Sequence, residues 1–183
     1  MRIAVFGTGA VGGYFGGRLA ASGEDVSFIA RGAHLAALTE HGLRITSPKG
    51  DLHVPVHVSD SPASIGPVDV VLLTVKLYDL DAAAATLAPL VGPDTAVITL
   101  QNGVEAVGMV ARHVGADHVA GGVAYVVAAV VEPGHIHHTV ADRLVFGESD
   151  GRASSRLRQF QAAGQRAGFV ADLSTNIDVE LRV

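Results

Sequence analysis

Arg2-Ile3-Ala4-Val5-Phe6-Gly7-Thr8-Gly9-Ala10-Val11-Gly12 runs an apolar strand straight into a glycine-rich turn, and Ala10–Ser22 after it reads as a helix closed by Gly23. In a strand–turn–helix unit the three glycines have separate roles. Gly7 allows the tight turn, Gly9 lets the backbone approach a pyrophosphate, and Gly12 lets the helix pack closely on the strand. The pyrophosphate of a dinucleotide then meets free N–H groups at the positive end of the helix. A glycine triplet alone is weak, because such triplets occur in many loops; the strand before it and the helix after it favour a nucleotide site over an ordinary turn.

Outward from this turn, Asp25–Ala30 reads as a second strand, so the first thirty residues form a βαβ unit with parallel strands. Ala33–His41 is a short helix closed by Gly42, and Leu43–Thr46 with Leu52–Val58 reads as a hairpin around Ser47–Asp51. Asp69–Val75 is a nearly continuous run of buried β-type residues, as expected of a central parallel strand, and ends at Lys76. A helix at 79–90, a strand at Thr95–Leu100 ending in Gln101-Asn102-Gly103, and a helix at 104–113 follow. From His118 the pattern turns strand-like over Val119–Val131, His135–Val140 and Arg143–Phe146, which predicts antiparallel pairing at one edge of the sheet. Arg152–Ala167 is a helix and Phe169–Leu173 a last strand. Ser174-Thr175-Asn176 is placed to cap a final helix, Ile177–Val183. The fold class is α/β: a Rossmann-type, doubly wound, mostly parallel sheet with antiparallel edge strands. The expected organisation is a nucleotide-binding unit over residues 1–173, with 174–183 beginning a helix that continues in a longer parent, since seven residues are marginal as an isolated helix.

Composition bounds the function. The chain has 183 residues, 49% hydrophobic and 17% charged, with 22 glycines and a net charge of −5. A glycine content well above the roughly 7% average points to many tight turns. The 13 Lys and Arg are scattered, which argues against a nucleic-acid footprint or a patch for anionic membrane. No apolar run reaches the ~18 residues of a membrane span. The absence of cysteine excludes disulfide and thiol chemistry and is compatible with a cytoplasmic location.

Which nucleotide is read at the end of the second strand. NAD sites usually carry an acidic residue for the ribose 2′-OH about 20 residues beyond the glycines. Here Arg31 stands in that region, and no acidic residue occurs between Asp25 and Glu40. Arg31 can hold a 2′-phosphate by charge-assisted hydrogen bonds, so NADP is expected over NAD. Lys76 and Asn102 end two successive core strands, at the edge where such sheets bind ligands. A lysine there attracts a carboxylate or phosphate, and an asparagine hydrogen-bonds a ribose or keto acid; spacing leaves open the alternative of a solvated strand end and a simple Asn-Gly turn. His135, His137 and His138 suggest a metal, but only two share a strand face, so an exposed strand is expected and no metal site is assigned. Arg2, Arg18 and the group Arg152, Arg156 and Arg158 read as solvated faces. No Gly-x-Ser-x-Gly elbow is present.

Together, Gly7-Thr8-Gly9-Ala10-Val11-Gly12-Gly13-Tyr14-Phe15-Gly16, Arg31-Gly32, Leu73-Thr74-Val75-Lys76, Leu100-Gln101-Asn102-Gly103 and Glu132-Pro133-Gly134 resemble the N-terminal domain of the ketopantoate reductase (2-dehydropantoate 2-reductase) family. The resemblance implies NADPH-dependent reduction of 2-dehydropantoate to pantoate, on the way to pantothenate and coenzyme A. It implies that Gly7 to Gly12 hold the pyrophosphate, Arg31 the 2′-phosphate, and Lys76 and Asn102 the cofactor and a small 2-oxo acid. It also implies that the general acid is a lysine beyond Val183, in a helical C-terminal domain, so this chain alone is expected to bind NADPH with little turnover. Self-association through the end near Leu173–Val183 is a further expectation. The alternatives are a stand-alone NADP-binding regulatory module and a dehydrogenase of another 2-oxo or 2-hydroxy acid.

Overall fold

In the computed structural model, which describes residues 1–182, the first half of the chain runs β1 (Arg2–Phe6), α1 (Ala10–Ala21), β2 (Asp25–Ile29), α2 (Gly32–His41), β3 (Leu43–Thr46), β4 (Leu52–Val54), β5 (His57–Ser59), β6 (Val68–Leu73), α3 (Leu80–Ala84) and β7 (Val91–Thr99). The second half runs α4 (Glu105–Val114), β8 (Val119–Glu132), β9 (His135–Glu148), α5 (Ser155–Ala167), β10 (Val170–Leu173) and α6 (Ile177–Glu180). One sheet takes the order β4-β3-β9-β8-β7-β6-β1-β2-β5, with β10 beside β9. Its pairings are parallel except β8–β9 and β3–β4, so the antiparallel strands gather towards one edge. Among the described residues no helix is long and apolar enough to cross a membrane.

Alternation along the central strands builds two cores. Ile3, Val5, Val70, Leu72 and Ile98 face α1 and α5, whose Phe15, Leu157 and Phe160 are fully buried. Ala4, Phe6, Val71, Leu73 and Val97 face α3 and α4 on the other side. Each strand is thus covered on both faces, which explains its continuous apolar sequence.

The glycines of α1 decide how the sheet curls. A Cβ at Gly16 would lie 2.6 Å from the Phe28 ring, on the β1–β2 side. On the opposite side, Cβ atoms at Gly13 and Gly17 would lie 2.9 Å from Ile136 and 2.6 Å from Ile45. The helix is therefore enclosed between the parallel strands and the β3–β9 arm, which approach it where side chains are missing.

Several expected elements are divided or merged. Leu52–Val58 is two strands, because Pro55 has no N–H for a ladder; β4 pairs with β3, while β5 crosses to the far edge and pairs with β2. The helix expected at 79–90 shortens to α3 flanked by 3₁₀ turns at Leu77–Asp79 and Ala88–Leu90, the second containing Pro89. His135–Val140 and Arg143–Phe146 form one strand, β9, in which Ala141 at φ 59° takes up an extra residue between the pairs Val126–Asp142 and Val127–Val140. This is a bulge of the kind that bends long hairpins.

Two side-chain expectations are corrected. The histidine strand is not simply exposed: His138 is 2% exposed, its ring lies 4.3 Å from that of Tyr14, and it bonds Ser47 Oγ at 2.8 Å. The arginine group near α5 is not simply solvated either, since Arg156 pairs with buried Glu148 at 2.9 Å. Arg18 lies over the Tyr14 ring and donates to Gly50 O. At the end of the chain, α6 turns Ile177 and Leu181 inward onto Val145 and leaves Val179 exposed. Val183, the last residue of the expected final helix, lies outside the described residues.

Candidate functional site

The carboxyl ends of β1, β2, β6 and β7 lie side by side, and the chain leaves β1 where β2 lies to one side and β6 to the other. This reversal of strand order is where open α/β sheets bind ligands. The turn after β1 is anchored from both neighbours. Gly7 N–H and Thr8 Oγ1 donate to Ile29 O at 3.3 and 3.1 Å, and Thr74 N–H donates to Phe6 O at 2.9 Å, while its hydroxyl reaches Gly7 O.

The three glycines differ in their surroundings. Gly7 adopts φ 100°, a left-handed conformation, and a Cβ there would lie 2.9 Å from Val75 N. A Cβ on Gly12 would lie 2.3 Å from Gly7 O, so Gly12 is a packing glycine. Gly9 is exposed, and a Cβ on it would meet nothing within 4 Å. It therefore leaves the cavity in front of it open. Gly9 is also the N-cap of α1; no side chain caps that terminus and no acidic residue stands in its first turn. The first N–H groups of the helix, from Ala10 and Val11 onward, have no intrahelical partner and are free for an anion.

A cavity of about 710 Å³ opens in front of this turn. Gly7, Thr8 and Gly9 form one wall with Arg31, His34, Val75 and Lys76, and the tip of the β8–β9 hairpin, Val130–Pro133, forms the wall opposite. Arg31 caps α2, is exposed, and has no side-chain partner among the described residues. Lys76 follows β6 and is likewise exposed. Asn102 is exposed on the turn after β7, at the same sheet edge, but does not line the cavity. The structure thus brings together the turn, Arg31 and Lys76, and leaves Asn102 beside them. The Thr8 hydroxyl donates to Ile29 O, so its proton is already engaged within the fold.

Three further contributors were assigned no role from the sequence, although Gln101 and Glu132-Pro133-Gly134 belong to the motifs quoted there. His34 sits one turn into α2, and its Nδ1 accepts Gly134 N–H at 3.0 Å. Burial pushes its imidazole below the ordinary value, partly offset by the Thr8 backbone. Gln101, 5% exposed, donates to Leu73 O and Val75 O, each at 2.9 Å, and so braces the backbone leading into Lys76. The hairpin tip reaches the cavity only through the register of β9 on β3, where Glu132 pairs with Arg44 and Arg44 N–H donates to Gly134 O at 2.9 Å. The acidic groups on the cavity wall are Glu132, whose charge Arg44 offsets, and Asp79. Among the described residues no three His, Asp or Glu side chains cluster to hold a metal.

Residues 3–151 match the family model described as ketopantoate reductase PanE/ApbA. Over its whole length the chain is 33% identical to a 2-dehydropantoate 2-reductase of Mesorhizobium japonicum, covering 63% of that protein. Among solved structures, it aligns over all of its length with 2-dehydropantoate 2-reductase from Geobacter metallireducens at 35% identity and a TM-score of 0.92, covering 60% of that chain. It also aligns over 99% of its length with the PanE/ApbA family ketopantoate reductase of Ralstonia eutropha at 34% identity and a TM-score of 0.90, covering 59% of that chain. The chain therefore spans about three-fifths of the length of these relatives.

Proposed function

The chain belongs to the ketopantoate reductase PanE/ApbA family, and on that premise we propose that residues 1–173 are the NADPH-binding unit of an enzyme that reduces 2-dehydropantoate to pantoate. The observation that carries the cofactor reading is Arg31, unpartnered on the rim of the cavity that Gly9 leaves open. The uncapped N-terminus of α1 suits a pyrophosphate, because its free N–H groups and the helix dipole both favour negative charge. Arg31 then offers two parallel donors to a 2′-phosphate, and no carboxylate follows β2 to repel one.

When bound, the nicotinamide supplies the hydride for the keto carbon. The chain's own residues do the holding. Lys76 attracts the substrate carboxylate as a point charge, and the Asn102 amide, at the neighbouring strand end, donates to the substrate or to the ribose without adding charge. Gln101 fixes where the Lys76 backbone begins. Reduction also needs a proton delivered to the developing alkoxide. We assign that role to a lysine in the part of the relatives' length beyond this chain, with 174–183 as the approach to it.

Calorimetric titration of the wild type and Arg31→Ala with NADPH and NADH tests the cofactor reading. A charge-assisted contact is worth about 1.5–3 kcal/mol, so NADPH is expected to weaken by roughly 10- to 100-fold and NADH little. Equal weakening of both overturns the assignment of Arg31.

A further inference from the structure

His34 touches three parts of the site at once. It belongs to α2, it lines the cavity with Thr8 and Gly9, and its Nδ1 accepts the N–H of Gly134 at the hairpin tip at 3.0 Å. Because Nδ1 is an acceptor, the ring proton of the neutral imidazole is on Nε2. Nε2 is shut off from solvent and has no partner in good hydrogen-bond geometry; the backbone of Thr8 lies against the ring. The other ties of the hairpin tip, Arg44 N–H to Gly134 O and Arg44 to Glu132, fasten it to β3 and not to the turn.

We propose that neutral His34 is a positioning residue for the dinucleotide: its Nδ1 accepts the Gly134 N–H and so holds the hairpin tip over the cavity, opposite the turn. The inference rests on the reading of the cavity as a dinucleotide site. An imidazolium cannot fill the role, because Nδ1–H would face the Gly134 N–H, donor against donor. Burial favours the neutral ring. The linkage is therefore complete above the ordinary histidine value and is lost as pH falls through the lowered one. The charged groups around the ring are Arg31 at the N-cap of α2, Glu132 on the hairpin with Arg44 and His135 beside it, and Lys76 and Asp79 across the opening.

The test is the Kd of NADP⁺ and of NADH for the wild type, His34→Ala and His34→Asn between pH 5.5 and 8. Asparagine keeps an acceptor at the Nδ1 position but does not titrate. At pH 8, His34→Ala is expected to weaken both nucleotides about fivefold, the size of one net hydrogen bond, without changing their ratio. His34→Asn is expected to recover much of that loss and to lack the wild-type fall in affinity at acid pH. Comparing proteins at equal pH cancels protonation of the 2′-phosphate, which NADH lacks in any case. If the wild type binds and both variants follow its pH profile with unchanged Kd, the inference fails and the cofactor reading stands. If the folded wild type binds neither nucleotide, both fail. Should His34→Ala not fold, the pH profile of His34→Asn decides alone: a profile like the wild type's overturns the proposal, and a flat one supports it.

Discussion

The two walls of the cavity are built on different principles. The wall made by the turn after β1 is local: strand, glycines and helix are contiguous, and each glycine's role follows from its place in Gly7–Gly12. The opposite wall is the tip of the β8–β9 hairpin, more than a hundred residues away, brought there by strand register and a bulge at Ala141. The first wall is close-packed and braced by backbone hydrogen bonds to two neighbouring strands. The second is fastened at its tip by an exposed ion pair, one backbone bond and one imidazole. One wall is rigid by construction; the other depends on interactions that charge and pH can change.

The largest test of this contrast lies within the rigid wall. A Cβ on Gly12 would press on the carbonyl of Gly7 and the hydroxyl of Thr74, and backbone cannot yield as a flexible side chain does. Gly12→Ala should cost about 3 kcal/mol, the upper end for overpacking, or roughly 6–12 °C in Tm for a chain of this size. Gly9→Ala is its counterpart. With open space around it, the substitution should leave Tm almost unchanged, yet weaken NADPH about tenfold or more, ~1.4 kcal/mol, by obstructing the pyrophosphate. Thermal melts and calorimetry on both variants separate packing from binding, and a large loss of Tm in Gly9→Ala would break the division of roles.

A middle-sized effect is expected where the rigid wall continues to Lys76. Gln101→Leu removes two donors from Leu73 O and Val75 O in a buried place. Leu73 O keeps the Leu100 N–H at 3.1 Å, so the loss falls mainly on Val75 O; leaving a buried acceptor unpaired costs about 1–3 kcal/mol, and we expect ~1 kcal/mol in denaturant unfolding together with a rise in substrate KM in the whole enzyme. A variant with wild-type stability would mean that these carbonyls find other partners.

The same contrast explains what the sequence disclosed. The glycine turn after β1, the central strands and the place of Arg31 at the end of β2 were readable because each rests on residues adjacent in the chain, whose periodicity and spacing report local geometry. The curl of the sheet was not, although the glycines that permit it were in view: Gly13 and Gly17 become informative only when Ile136 and Ile45 are known to lie opposite. Leu52–Val58 was read as one strand although Pro55 interrupts it, and nothing adjacent in the chain shows that β5 crosses to the far edge. His34 reads as an ordinary helical histidine until the hairpin tip arrives beside it. Ala141-Asp142 was read as a break between two strands, because an alanine gives no sign that it takes a positive φ as a bulge within one.

The smallest effect tests the adjustable wall. Arg44 and Glu132 are 50% and 57% exposed, so their pairing should contribute only a few tenths to ~1 kcal/mol to stability. Arg44→Ala should therefore shift Tm by no more than about 1–4 °C. Its effect on binding is of a different kind: Glu132 lines the cavity, and without Arg44 its charge repels the anionic dinucleotide. Affinity for NADPH should fall about two- to threefold at low ionic strength and recover as added salt shortens the screening length below ~8 Å. The backbone bond from residue 44 to Gly134 O survives the substitution, so the tip itself should stay in place. A loss of affinity that salt does not relieve would show instead that the arginine side chain holds the hairpin mechanically, and the second wall would then be as rigid as the first.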